Sequence, residues 1–276
     1  MALFLLYIIR FYTKKHYTYM PVKKQVAKKT DLNKISTLPP KNLTKEEVKQ
    51  QTAAIVQELD DYQNLLYAEN KHSVLVILQG MDASGKDGLI RKVFGNLNPQ
   101  GVNVSSFKVP TEVELAHDFL WRIHAHTPRK GMIHIFNRSQ YEDVLVTRVH
   151  GTINDETARK RMEAINHFEQ LLEEHNNTHI LKFYLHVSAE EQEERLKERM
   201  TDETKMWKYN ASDFKEAKSR KEYIKYYNEV FEKCNKVPWT IVPADKNWYK
   251  EYMVADALLK LFKSLKMKFP IIKIEH

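Results

Sequence analysis

The sequence predicts an α/β fold built on a parallel central sheet, and three observations predict it. Five short apolar runs of strand length are flanked by longer stretches of helical period, and strands alternating with helices build parallel sheets through helical crossovers. The first run, Ser73-Val74-Leu75-Val76-Ile77-Leu78, is continuously apolar instead of alternating, as a strand covered on both faces should be. A glycine-rich turn then joins this run to the next helical stretch, the place where backbone N–H groups can face a phosphate.

The elements follow in order. Met1 to Ile9 is apolar, but a spanning helix needs about 20 residues, roughly twice that run. Arg10, Lys14 and Lys15 follow the run instead of preceding it, unlike a secretory leader. It reads as a dispensable extension, with Met20 as an alternative start, in preference to a membrane anchor. Met20 to Pro40 is Lys-rich, poor in large apolar residues and closed by Pro39-Pro40, the pattern of a basic arm. The expected organisation is a poorly ordered extension over residues 1–40 and one domain over 41–276. Thr44 and Glu47 mark a helix start, and the helix should run to about Ala68 with Ile55, Leu59, Tyr62, Leu65 and Leu66 buried. A second helix covers Leu89 to Phe94.

Val102–Phe107, Met132–Phe136, Ile180–Val187 and Trp239–Val242 supply the remaining strands. Helical periods cover Asp155–His175, Ala189–Met200, Ser212–Asn235 and Trp248–Met267, with charges three or four apart that read mostly as solvated faces. Between two of these helices, Asp202–Asn210 carries Lys205, Trp207, Lys208 and Tyr209. Such a connection suits a mobile lid, placed at about residues 199–222.

Composition bounds the function. With 42% hydrophobic and 29% charged residues, the chain is neither disordered nor collagen-like. A formal charge of +8 suits a polyanionic partner: nucleic acid, anionic lipid or a phosphate-rich small molecule. No run of aromatics interleaved with basic residues supports base stacking, so neither a nucleic-acid nor a membrane partner is expected. The one cysteine, Cys234, excludes an intrachain disulfide and fits a reducing compartment; a cytoplasmic location is expected, as is a homo-oligomer, dimer or tetramer.

The chemistry concentrates at Gly80-Met81-Asp82-Ala83-Ser84-Gly85-Lys86, which keeps the Walker A spacing of a P-loop between a strand and a helix. Glycines let the backbone N–H groups turn inward, the helix N-terminus adds partial positive charge, and Lys86 neutralises the phosphates. Ala83, Ser84, Gly85 and Asp87 are the expected phosphate contacts. Two positions depart from the pattern. Asp87 stands where a Ser or Thr usually holds Mg²⁺, and Asn137 stands at the strand end where an NTPase places an aspartate. Asp82, inside the loop, is the natural replacement ligand. Arg138, at the C-terminal sheet edge, can grip phosphates bidentately, with a salt bridge to Glu142 or Asp143 as the competing reading. Lys108 and Thr111 close the second strand where an acceptor nucleotide would sit, Thr111 being equally suited to capping a helix.

Together, Gly80 through Gly88, Phe107-Lys108-Val109-Pro110-Thr111, Phe136-Asn137-Arg138-Ser139-Gln140-Tyr141-Glu142-Asp143 and Trp207-Lys208-Tyr209 resemble the second family of polyphosphate kinases. The resemblance runs from about Glu58 through Trp248. It implies a thymidylate-kinase-like P-loop fold, three-layered, with a parallel central sheet and a helical lid. It implies Mg²⁺-dependent, reversible transfer of the terminal phosphate of inorganic polyphosphate to a nucleotide, with Mn²⁺ as a substitute metal and an ATP-dependent nucleoside monophosphate kinase as the rival. Asp82, Lys86 and Arg138 match the family's catalytic residues, and Arg199 with Lys205 and Lys208 matches its lid cations. The segment from Phe136 to Asp143 looks like the subgroup that accepts both AMP and ADP. Adenine nucleotides are the expected acceptors, guanine nucleotides a second class, with Asn137 among the nucleotide contacts. The departure at Asn137 leaves Glu142 to join Asp82 as a metal ligand. A basic track for the donor could be built from Arg91, Lys92, Arg199, Lys205 and Lys208, and from Lys218 and Arg220 unless these lie on a solvated face.

Overall fold

The computed structural model describes residues 30–271. Five parallel strands, β1 (Ser73–Gln79), β2 (Val102–Ser106), β3 (Ile133–Asn137), β4 (Thr178–His186) and β5 (Trp239–Pro243), form one sheet in the order β2-β3-β1-β4-β5. Every residue of the central strand β1 is buried, which is why its sequence does not alternate. At the sheet edge β2 is mostly exposed or half-buried. Helices cover both faces. Residues 45–69, 86–94 and 247–265 pack on one side through Leu59, Leu66, Leu89, Val93, Leu258 and Phe262. Residues 142–149, 155–176 and 220–233 pack on the other through Val144, Ile165, Phe168, Val230 and Phe231. This is the expected three-layer architecture, with the strand ends, and therefore the ligand-binding edge, pointing the same way.

In chain order the helices are α1 (Lys45–Glu69), α2 (Lys86–Phe94), α3 (Glu112–Leu115), α4 (Trp121–His124), α5 (Glu142–Val149), α6 (Asp155–Asn176), α7 (Ala189–Thr201), α8 (Ala211–Lys218), α9 (Arg220–Lys233) and α10 (Asn247–Leu265). Thr44 caps α1, accepting from the Glu47 N–H. Three expectations need correction. The helix expected over Ser212–Asn235 is two helices, broken at Ser219, whose ψ of 17° leaves the helical region; α8 buries no residue, while α9 packs on the core through Tyr227, Val230 and Phe231. The helix after the glycine loop starts three residues early, at Lys86, because Gly85 takes a left-handed conformation as its N-cap (φ 89°). Of the arm expected to be poorly ordered up to residue 40, residues 30–40 are described and dock at Leu32 and Thr37, its first part lying outside the described residues. Leu32 is 1% exposed, its N–H donates to Asn228 Oδ1 (3.1 Å), and its carbonyl lies 3.1 Å from His186 Nε2. The Thr37 hydroxyl donates to Asp245 (2.6 Å). One buried leucine was too small a signal amid lysines to read as a docking segment. The apolar run at Met1–Ile9 also lies outside the described residues, among which no helix is long and apolar enough to cross a membrane.

Candidate active site

The loop leaves β1 at Gly80 and re-enters helix at Lys86 with two left-handed residues, Ala83 (φ 60°) and Gly85 (φ 89°). Such a sequence of turns directs successive N–H groups into one concavity. Gly85 takes a φ that favours glycine, and a Cβ there would also meet Lys250 Nζ at 2.1 Å, so that amine would have to move. The loop's carbonyls are held from behind. Gln192 Nε2 donates to Asp82 O (3.1 Å), Arg195 Nη1 to Ala83 O and Ser84 O (3.1 and 3.2 Å), and Lys250 Nζ to Ser84 O (3.1 Å). With the carbonyls engaged on one side, the concave side faces the cleft.

Lys86 is buried, its Nζ donating to Gly80 O (2.8 Å) and Met81 O (3.2 Å). Burial first, then the neighbouring Arg138 charge, lowers its pKa to about 8. An incoming phosphate would reverse that, because an anion favours the charged amine.

Arg138 follows β3 in a left-handed conformation (φ 66°), which is costly for an arginine and is tolerated mainly where neighbours over-determine it. Its N–H donates to Leu78 O (3.0 Å), and its guanidinium bridges Asp82 and Glu142, the latter at 3.1 Å. Glu142, ahead of Asp82, holds that guanidinium firmly protonated. The salt bridge to Glu142 therefore coexists with the loop contact, whereas Asp143 turns away to Arg122 (3.4 Å). Behind this segment lies a fully buried network. Glu169 accepts from Gln140 Nε2 (3.1 Å), the Tyr141 hydroxyl (2.7 Å) and Lys182 Nζ (2.7 Å), anchoring the residues between Arg138 and Glu142.

The segment expected as a lid comprises the end of α7, a 3₁₀ turn at Met206–Lys208, and α8. Arg199 pairs with Asp213 (2.5 Å) and Lys205 with Glu198 (2.7 Å). Lys208 reaches Asp87 Oδ2 (3.3 Å), whose Oδ1 accepts from Asn137 Nδ2 (2.8 Å).

These elements enclose a cleft of about 1790 Å³. It brings together Asp82, Ala83, Gly85, Lys86, Asp87, Lys108, Asn137, Arg138, Glu142, Arg199, Lys205 and Lys208. Two expected contacts fall outside it. Ser84 is fully buried and its N–H donates to Met81 O (3.1 Å) within the loop. The Thr111 hydroxyl caps α3 in a complete capping box with Glu114, so the capping reading accounts for it. Arg91 and Lys92 line the cleft, but Lys218 and Arg220 do not. Arg220 is neither track nor solvated face; it donates to Gln192 Oε1 (2.7 Å) and Val187 O (2.6 Å).

Sequence reasoning missed Gln192, Arg195, Lys250 and Arg122. Gln192, Arg195 and Lys250 each looked like one more polar residue on a charged helix, and Arg122 falls in a stretch assigned to no element. The one available signal was the stripe Gln192, Arg195, Arg199, spaced three and four apart, which puts all three on one face of α7.

Among the described residues no group of three or more His, Cys, Asp or Glu could hold a metal. A Mg²⁺ arriving with phosphates needs only one or two carboxylates. Asp82 and Glu142, meeting at one guanidinium, fit that requirement.

The chain matches the family model for polyphosphate kinase 2 (PPK2) over residues 42–270. It is 46% identical over 220 residues to the AMP/ADP-polyphosphate phosphotransferase of Meiothermus ruber, covering 79% of this chain and 82% of that protein. To the ADP-polyphosphate phosphotransferase of Rhodopseudomonas palustris it is 41% identical over 261 residues, covering 88% and 89%. The crystal structure of polyphosphate kinase 2 from Arthrobacter aurescens TC1 superposes with a TM-score of 0.87 at 38% identity, covering 91% of this chain and 92% of that one. Sequence and fold agree over nearly the whole domain, and the chain belongs to the polyphosphate kinase 2 family.

Proposed function

We propose that this protein moves the terminal phosphate of inorganic polyphosphate onto AMP and ADP, reversibly and with Mg²⁺ or Mn²⁺. The observation that carries the reading is Arg138. A guanidinium fixed between a loop carboxylate and Glu142 stands at the sheet edge, sharing one cleft with the loop lysine and with Arg199, Lys205 and Lys208. Little covalent chemistry is needed for phosphoryl transfer; catalysis is positioning plus stabilisation of charge on the transferring group.

Lys86 and the loop N–H groups would hold the phosphate nearest the reaction, and Arg138 would stabilise charge on its equatorial oxygens. Arg199, Lys205 and Lys208 would bind the donor and exclude water as the lid settles. Asp82 and Glu142 would hold a divalent cation, which when bound neutralises phosphate charge. Lys108, at the open end of the cleft, would meet the acceptor. Adenine nucleotides are the first acceptors to test and guanine nucleotides the second. A cytoplasmic location and a homo-oligomer, dimer or tetramer, belong to the same proposal.

The test is direct. Purified protein, ADP, Mg²⁺ and long-chain polyphosphate should yield ATP, and AMP in place of ADP should yield ADP and then ATP. Absence of product with both acceptors, together with strong turnover of ATP and a nucleoside monophosphate, would replace this reading with an ATP-dependent kinase.

A further inference from the structure

We propose that Asp87 is an internal stand-in for donor phosphate: its carboxylate latches the lid through Lys208 and yields that lysine when polyphosphate arrives. The inference rests on the polyphosphate-donor reading above. At this position a P-loop ordinarily carries a hydroxyl for the metal; here it carries a negative charge on the first turn of α2. One carboxylate ties together three separate elements. Oδ1 accepts from Asn137 at the end of β3 (2.8 Å), Oδ2 accepts from Lys208 in the lid (3.3 Å), and the backbone belongs to the phosphate loop's own helix. These are the same elements that must converge on a phosphate during transfer.

Lys208 differs from its neighbours in the lid. The ion pairs of Arg199 and Lys205 are internal, to Asp213, Glu198 and Asp202, whereas Lys208 reaches across the cleft to the body. Its ammonium also stands 4.9 Å from the ring centroid of Trp207, which is 77% exposed. The latch is built to open: the side chains of Lys208 and Asp87 are 32% and 62% exposed, and exposed pairs are weak and screened by salt. A polyphosphate chain offers Lys208 charged acceptor oxygens one after another, so it can outcompete a single carboxylate.

The experiment uses the full-length chain and D87N, which keeps the shape and an acceptor for Asn137 but removes the charge. Trp207 emission is isolated by subtracting the spectrum of W207F. Without substrate, D87N should shift this emission; an unchanged spectrum would overturn the latch, independently of what the enzyme phosphorylates. Adding long-chain polyphosphate to the unsubstituted protein should shift it in the same direction, and adding it to D87N should shift it less. In turnover assays D87N should lower KM for polyphosphate by up to about fivefold, the size of one exposed ion pair. In a K208M background the fall in KM should vanish. The same fall persisting there would mean plain charge repulsion and would overturn the competition, as would a rise in KM. Absence of polyphosphate turnover in the unsubstituted protein would remove the donor reading itself, leaving the substrate-free emission to judge the latch.

Discussion

Replacing Lys250 with methionine should separate what the phosphate loop needs for activity from what the fold needs for stability. The Lys250 amine is 1% exposed and donates to Ser84 O (3.1 Å) and Asn247 Oδ1 (2.7 Å). Burial first, then the Arg195 charge, lowers its pKa from 10.5 to about 7. Below about pH 7 the amine is charged in both folded and unfolded chains, and the folded state carries the whole desolvation cost, of order 5 kcal/mol at about 1.4 kcal/mol per pH unit. As the pH rises past 7 the folded amine loses its proton while the unfolded one, with its ordinary pKa, keeps it. The unfolded state then binds more protons, so stability from this group rises with pH and levels off near the ordinary lysine value. Between about pH 6 and about pH 9 the gain is about 2–3 kcal/mol. Methionine fills similar volume without a charge. K250M should therefore be favoured over the parent most at about pH 6, and its advantage should shrink by about 2–3 kcal/mol at about pH 9. Urea unfolding at both pH values, compared between variant and parent, measures this shift while cancelling Lys86, which titrates in the same sense. Turnover should fall by about tenfold or more, because the Ser84 carbonyl keeps only its Arg195 donor and the loop loses definition. A stability difference that does not change with pH would refute the buried-amine argument, and full activity would refute the supporting role.

Other outcomes follow from the same geometry. Lys86→Ala and Asp82→Ala should each lower kcat by about 10²-fold or more, measured with saturating polyphosphate and ADP, and both should retain the circular dichroism spectrum of the parent. Because the Lys86 pKa is about 8, kcat/KM, which reports the free enzyme, should decline as the pH rises through about 8. The corresponding limb of kcat should lie higher, since bound phosphate favours the charged amine. Leu32→Ala should cost about 2–5 kcal/mol in chemical denaturation, the range for a buried leucine; a loss under about 0.5 kcal/mol, typical of surface sites, would show that the segment around Leu32 does not dock in solution.

Much of the site was legible because it is local. Asp82, Lys86 and Arg138 lie at fixed offsets from strand ends, and a strand end in a parallel sheet is already a place in space. The connection around Trp207 was legible as a basic, aromatic stretch between two helices, and it lines the cleft. Thr111 was not resolved by its sequence, since a threonine followed three residues later by a glutamate satisfies a capping box as readily as it offers a ligand. Ser212–Asn235 misled for a different reason: its helical period continues through Ser219, and only the packing of α9 on the core, while α8 lines the cleft, breaks it.

The sequence by itself determined the five strands and most of the longer helices between them, the phosphate loop and the cations that face it, since each depends on periodicity or on spacing within a few residues. Tertiary structure alone decided which of the many helical charges turn inward. Lys250 finds Ser84 across 166 positions, Arg195 finds Ala83 across 112, and Arg138 finds Asp82 across 56. A charge is buried only where distant partners jointly offset its desolvation, and no local pattern records where those partners will stand.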